Sequence, residues 1–175
     1  MVQINYSSKM IEITESIKHW NKRFLTPLGK VTVIKTFLLS KLNHIFLSLP
    51  NPDPTYLKEL NEIFFKFIWS NKPDKISRRI LTLDFKKGGI KMIDLEKFIM
   101  SLKVTWLRRA LKSNSPWVAL FQATIMTDMA KFQMVGSTFA IKQTQCITNN
   151  FWISMLHAWD ILFQKYTPCN LEQIL

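Results

Sequence analysis

From Met10 onward, large apolar residues recur at steps of three and four, and prolines cut the pattern into lengths that suit helices. Met10, Ile13, Ile17, Trp20 and Phe24 form a first stripe. Val31, Ile34, Leu38, Leu42, Ile45 and Leu49 form a second, and Leu57, Leu60, Ile63, Phe64, Phe67 and Ile68 a third. A repeat near 3.6 lines one face of a helix and asks for a partner surface. The breaks are as informative. Thr26-Pro27 reads as a capping residue followed by a first-turn proline. Pro50-Asn51-Pro52 ends the second stripe, and Asp53-Pro54 repeats the cap-and-proline signature. The spacing predicts helices over about 10–24, 27–49 and 54–70. With connections this short, they form an antiparallel three-helix unit.

Asn71-Lys72-Pro73-Asp74 marks a boundary. Beyond it, Ile80 to Phe85 alternates imperfectly, Lys87-Gly88-Gly89 signals a turn, and Ile90 to Ile93 supplies a return segment. This predicts a short β-hairpin. Asp94 then caps a helix whose stripe is Leu95, Ile99, Leu102, Trp106 and Ala110. From Ser113 the texture changes. Asn114-Ser115-Pro116-Trp117 opens a short helix, and Asn149-Asn150-Phe151-Trp152 opens another through about Gln164. Residues 128–148 receive no assignment. The fold class is mainly α, in three parts: a three-helix unit at 1–71, a basic hairpin plus helix at 72–112, and a helical connector at 113–175. The chain ends on an apolar note at Leu175 with no polar tail, which suggests truncation.

A hydrophobic fraction of 47% with 13% aromatics excludes a disordered tail and supports a packed core. The net charge of +12 is unevenly placed. Residues 1–112 hold 21 Lys/Arg against 9 Asp/Glu, whereas residues 113–175 hold 3 of each. The whole excess lies in the first two thirds and seeks polyanions, nucleic acid before anionic membrane. The most apolar run, Val31 to Leu49, is interrupted by Lys35 and Lys41 and is a core helix, not a membrane span. Membrane is therefore not expected as a partner. No N-terminal stretch resembles a signal peptide. Cys146 and Cys169 form no CxxC pair and read as free buried thiols in a reducing compartment. An intracellular location, nuclear or cytoplasmic, is the expectation.

Catalytic constellations are missing. Metal-dependent polymerase chemistry needs converging carboxylates. No Asp-Asp pair occurs, and Asp53, Asp74, Asp84 and Asp94 are scattered. His19, His44 and His157 lie near no Cys or acid at metal-ligand spacing. There is no Walker-type glycine loop and no Gly-x-Ser-x-Gly elbow. No catalytic residue, metal site or cofactor is expected.

The positive constellation is electrostatic. Lys18, Lys22, Arg23, Lys30, Lys35 and Lys41 fall between Ser16 and Pro52 without an intervening acid. On one continuous helix Lys30 and Lys41 would project within about 20° of each other, roughly 16 Å apart along the axis. That spacing suits two phosphates along a groove wall. It equally suits two charges that keep an apolar helix soluble. A second run, Lys72, Lys75, Arg78, Arg79, Lys86, Lys87 and Lys91, brackets the hairpin, and Lys103, Arg108, Arg109 and Lys112 lie on the next helix. The candidate nucleic-acid contacts are Lys22, Arg23, Lys30, Lys35, Lys41, Lys75, Arg78, Arg79, Lys86, Lys87, Arg108 and Arg109. Such residues hold phosphates without reading sequence, and their binding weakens as salt rises. Trp20, Trp69 and Trp106 sit within helical stripes and read as core. A competing reading is a structural or protein-interaction domain that docks a partner through Trp117, Trp152 and Trp159.

Several of these residues, in this order, resemble the region after the catalytic core of LINE-type (non-LTR) retrotransposon reverse transcriptases. The resemblance is carried by Trp20-Asn21-Lys22-Arg23-Phe24-Leu25-Thr26 with Leu28-Gly29-Lys30-Val31-Thr32-Val33-Ile34-Lys35. It continues through Leu49-Pro50-Asn51-Pro52, Ile63 to Ser70, Lys75 to Arg79, Gly88 to Asp94, and Ser101 to Arg109. It covers about residues 9–121. It implies that the three helices are a thumb that grips template–primer, with Lys30 and Lys35 of the Gly-Lys…Lys pattern toward its backbone. It implies that the hairpin and its helix extend the nucleic-acid path. The partners it implies are an RNA template, a DNA primer or their hybrid, together with a polymerase core that this chain lacks. The chain would then be a non-catalytic fragment.

Overall fold

The computed structural model describes residues 2–125 and 147–165. The chain divides into two compact units, Met1–Phe98 and Ile99–Leu175. Among the described residues the regular structure is helical, with no strand. Among them, no helix is long and apolar enough to cross a membrane.

Helix α1 spans Val2–Trp20. Helix α2, Pro27–Val33, passes into a π turn, Ile34–Leu38, and then into α3, Ser40–Ser48. Helix α4 spans Pro54–Ile68. Local chemistry sets the starts. Thr26 accepts the Gly29 amide and Asp53 accepts the Thr55 amide, each with proline at the head of the helix it caps. Side-chain caps satisfy amides that have no partner in the first turn.

α1, α2–α3 and α4 pack on one another. Ile13, Ile34, Leu38, Leu42, Phe46, Leu60 and Phe64 are fully buried. Tyr6 is also buried and donates its hydroxyl to the Pro50 carbonyl at 2.8 Å, pinning α1 to the end of α3. The first stripe overreaches at its end. α1 stops at Trp20, so Phe24 lies in the connection, fully exposed.

The second stripe keeps its inward residues but not its regularity. In the π turn the Leu39 amide reaches back five residues to the Ile34 carbonyl at 2.8 Å. A π turn holds an extra residue and advances the phase of everything after it. Leu38 and Leu39 are both buried as a result. The one-helix projection of Lys30 against Lys41 therefore does not apply.

The expected hairpin is replaced by turns. Arg78–Leu81 form one helical turn, α5, and Phe85–Lys87 a 3-10 turn capped by Asp84. The return segment does come back, since the amides of Ile90 and Met92 bond the Leu81 carbonyl and that of Lys91 bonds Leu83. It cannot run as a strand because Lys91 has φ +54°. A left-handed residue breaks an extended ladder. Gly89 packs so tightly that a Cβ there would lie 2.0 Å from the Leu83 carbonyl oxygen. Gly88, at φ +77°, closes the 3-10 turn.

α6 spans Leu95–Lys112, α7 spans Pro116–Ile125 and α8 spans Asn150–Lys165. Asp94 caps α6 through the Lys97 amide, and Asn149 caps α8 through those of Phe151 and Trp152. In the second unit, Leu107, Ala110, Val118, Phe121, Ile147, Met155 and Trp159 belong to one core. Trp106 meets Trp117 and Phe151 edge to face at 5.4 and 5.7 Å. Cys146 and Cys169 lie outside the described residues, as does most of the unassigned stretch 128–148.

Candidate nucleic-acid interface

The π turn presents Lys35 to solvent. The Lys35 ammonium is held below the usual lysine range, first by partial burial and then by the charge of Lys91. The left-handed backbone at Lys91 directs its side chain back over the 3-10 turn. There it lies 5.3 Å from the Phe85 ring centroid and 2.8 Å from an Asp84 carboxylate oxygen. Lys86 and Lys87 are exposed on the same turn. Asp84 is pulled below the ordinary carboxylate range, chiefly by its hydrogen bond from Lys91. The charge of Lys91 thus reaches Lys35, although its own ammonium is paired with Asp84. Two like charges in proximity repel, and a phosphate between them relieves that cost.

The end of α1 also packs on the π turn, through Phe37. Arg23 lies 4.7 Å over the Trp20 ring, and Trp20 stacks at 5.2 Å on Phe37 of the π turn. The end of α1, with Lys22 and Arg23 both exposed, is thereby tied to the turn that carries Lys35. Phe37, against Trp20, and Phe85, against Lys91, remain half exposed.

Three candidates are employed elsewhere. Lys30 is 5% exposed. Its ammonium donates to the Phe67 carbonyl at 2.9 Å and to the Ser70 hydroxyl at 2.6 Å. It caps the end of α4, where the helix dipole and free carbonyls attract a cation. Lys30 is thus a structural lysine, contrary to the expected phosphate contact. Lys41 bonds Glu12 at 2.9 Å and Ser16 at 2.9 Å, tying α3 to α1. Hydrogen bonds from Lys9 and then Lys41 hold Glu12 down to about 2. Arg78 grips Glu62 with both terminal nitrogens, bonds Asp74 at 2.7 Å through Nε, and stacks on Phe65 at 4.5 Å. It anchors α5 to α4. Lys75 and Arg79 are exposed. Arg79 lines a groove of about 650 Å³ that also contains Glu62, Asp94 and Glu96, so its surroundings are of mixed sign.

In the second unit Arg108 and Arg109 are exposed at the end of α6. Arg109 lies 5.1 Å over Trp106. Lys103, on the same helix, is fully buried with its ammonium 4.6 Å over the Phe151 ring, and burial pushes it down to about 8. No sequence signal distinguishes Lys103 from its exposed neighbours except its place one step from Trp106 in the apolar stripe. Trp159 is 1% exposed, and Trp117 and Trp152 pack against the same core. Trp159 is thus a core residue, whereas Trp117 and Trp152 each keep part of their surface exposed.

Among the described residues, no three His, Cys, Asp or Glu side chains converge as metal ligands would. The expected site residues therefore divide: Lys35, Lys86 and Lys87 are exposed on the π and 3-10 turns and Lys22 and Arg23 at the end of α1; Lys30, Lys41 and Arg78 are engaged in contacts within the first unit; Lys75 and Arg79 are exposed around α5; and Arg108 and Arg109 lie in the other unit. Lys91 joins Lys86 and Lys87 through its contacts with Asp84 and Phe85. No known family model matches the chain.

Proposed function

We propose that the chain binds template–primer nucleic acid through its phosphate backbone. In this reading it acts as the thumb and connector of a LINE-type reverse transcriptase, and its role is grip, not bond-making. The observation that carries the reading is the exposure of Lys35 on the π turn and of Lys86 and Lys87 on the 3-10 turn beside Lys91, whose charge is felt at Lys35. The ordered motif series from Trp20 to Arg109 supports the family, and α1, α2–α3 and α4 take the part of the thumb. Of the two lysines in the Gly-Lys…Lys pattern, Lys35 makes the contact and Lys30 builds the scaffold that presents it.

The test is equilibrium binding of a labelled RNA–DNA primer–template at about 50 mM and about 200 mM salt. The expected result is clear binding at low salt, a steep fall with salt, and a further loss of about tenfold in the Lys35→Glu/Lys91→Glu variant. Absence of binding at low salt, or an unchanged affinity in that variant, refutes the reading.

A further inference from the structure

Beyond Lys35, the second unit contains a separate groove of about 530 Å³ at the C-terminal end of α6. Its walls are Thr105, Arg108, Arg109, Lys112, Ser113 and Trp117. Three are cations and none is an acid. Cations in the last turn of a helix are ordinary, since they answer its dipole. Here they share a concavity with an indole and the Ser113 hydroxyl, which a solvated helix end does not require, while the Thr105 hydroxyl donates to the Ser101 carbonyl at 2.9 Å. Arg109 is held in place over Trp106. Ser113 Oγ accepts the Ser115 amide at 3.2 Å, which leaves its hydroxyl hydrogen to donate.

We infer that this groove binds single-stranded nucleic acid, with a phosphate between Arg108 and Arg109 and an adjoining base against Trp117. Guanidinium groups match phosphate geometry in a bidentate fork. A half-buried tryptophan beside them offers a face to an unstacked base, which a paired duplex keeps inside its own stack. The inference rests on the reading of the chain as a nucleic-acid binder, but it uses different residues and a different ligand form.

The experiment uses the whole chain and a fluorescein-labelled oligothymidylate of about ten nucleotides, within the span one such site covers. Affinity is measured for the wild type, for Arg108→Gln/Arg109→Gln, for Arg108→Lys/Arg109→Lys and for Lys35→Glu/Lys91→Glu. The glutamine variant should lose about tenfold or more, the lysine variant should recover only part of that loss because it keeps the charge without the fork, and the Lys35 variant should keep strand binding while losing about tenfold on the duplex. Urea midpoints equal to wild type confirm that each variant folds. A wild-type chain that ignores the oligonucleotide, or a glutamine variant that binds it normally, overturns the inference. If duplex binding fails while strand binding falls only in the glutamine variant, the preceding reading fails and this one stands.

Discussion

The Lys30 ammonium lies 2.9 Å from the carbonyl oxygen of Phe67, so a residue at the start of α2 closes the end of α4. The bond joins two segments 37 residues apart and runs through the interior of the first unit. It separates two lysines that the sequence presents as equivalent. A carboxylate at position 30 would face carbonyls in a buried place, whereas one at position 35 would face water.

Lys30→Glu should therefore cost about 3 kcal/mol or more, the usual penalty for an uncompensated buried charge. Lys35→Glu should stay within about 0.5 kcal/mol of wild type, as exposed substitutions do. Urea unfolding followed by circular dichroism compares them. Equal midpoints for the two variants would show that Lys30 plays no structural part.

Gly89→Ala should destabilise the first unit by more than about 2 kcal/mol, because the added Cβ would meet the Leu83 carbonyl oxygen at 2.0 Å. Gly88→Ala meets nothing within 4 Å and carries only its left-handed backbone, at about 1 kcal/mol. The same comparison reads on binding, since this turn carries Lys86, Lys87 and Lys91. The position 89 variant should also lose affinity for primer–template, and retention of full affinity would remove the turn from the interface.

Lys103 gives a pH signature. Burial lowers its folded pKa from 10.5 to about 8. Between those values the unfolded chain binds the proton that the folded chain has released, so stability rises with pH across the window. The contribution is at most about 3 kcal/mol. Lys30 and Lys35 are lowered by burial as well and push in the same direction. Tyr6 and Tyr56 are raised by burial and oppose it above about pH 10. Subtracting a Lys103→Met variant isolates the lysine: its stability should climb less between about pH 8 and about pH 10. A slope identical to wild type would contradict the burial of this ammonium.

Tryptophans should differ by unit. Trp159 is 1% exposed within the second core, and Trp159→Ala should cost about 3–5 kcal/mol. Trp20 is half-buried between Arg23 and Phe37, so Trp20→Ala should cost less, about 1–2 kcal/mol, while weakening primer–template binding through loss of that stack. Thermal melts together with the binding assay test both halves. A Trp20→Ala chain that melts as early as Trp159→Ala would place Trp20 in the core.

The capped helix starts were legible because their causes are local, whereas α1 begins at Val2, well ahead of its first stripe residue, Met10. Thr26, Asp53, Asp94 and Asn149 each bond an amide two or three residues ahead. The apolar stripes likewise named most of the buried residues of α2–α3 and α4, since a period of 3.6 belongs to the chain itself. The stretch 80–93 alternates like a hairpin but folds as turns. Its alternation is real, but the left-handed backbone of Lys91 and the tight packing of Gly89 arise only when the turn folds on Leu81 and Leu83.

By itself the sequence determined a basic, mainly helical chain, its capped starts and the faces its helices bury, because each depends on neighbours within a turn or two. Only the tertiary structure decided what each cation does. Lys30 is drawn into a helix end, Lys41 into an ion pair and Lys103 into an aromatic core, while Lys35 is left at the surface within reach of the charge of Lys91. The physical reason is that a lysine's stem is long and its charge strongly hydrated. Its fate depends on whether folding places an acceptor, a ring, another cation or water at the far end, and composition carries no record of that.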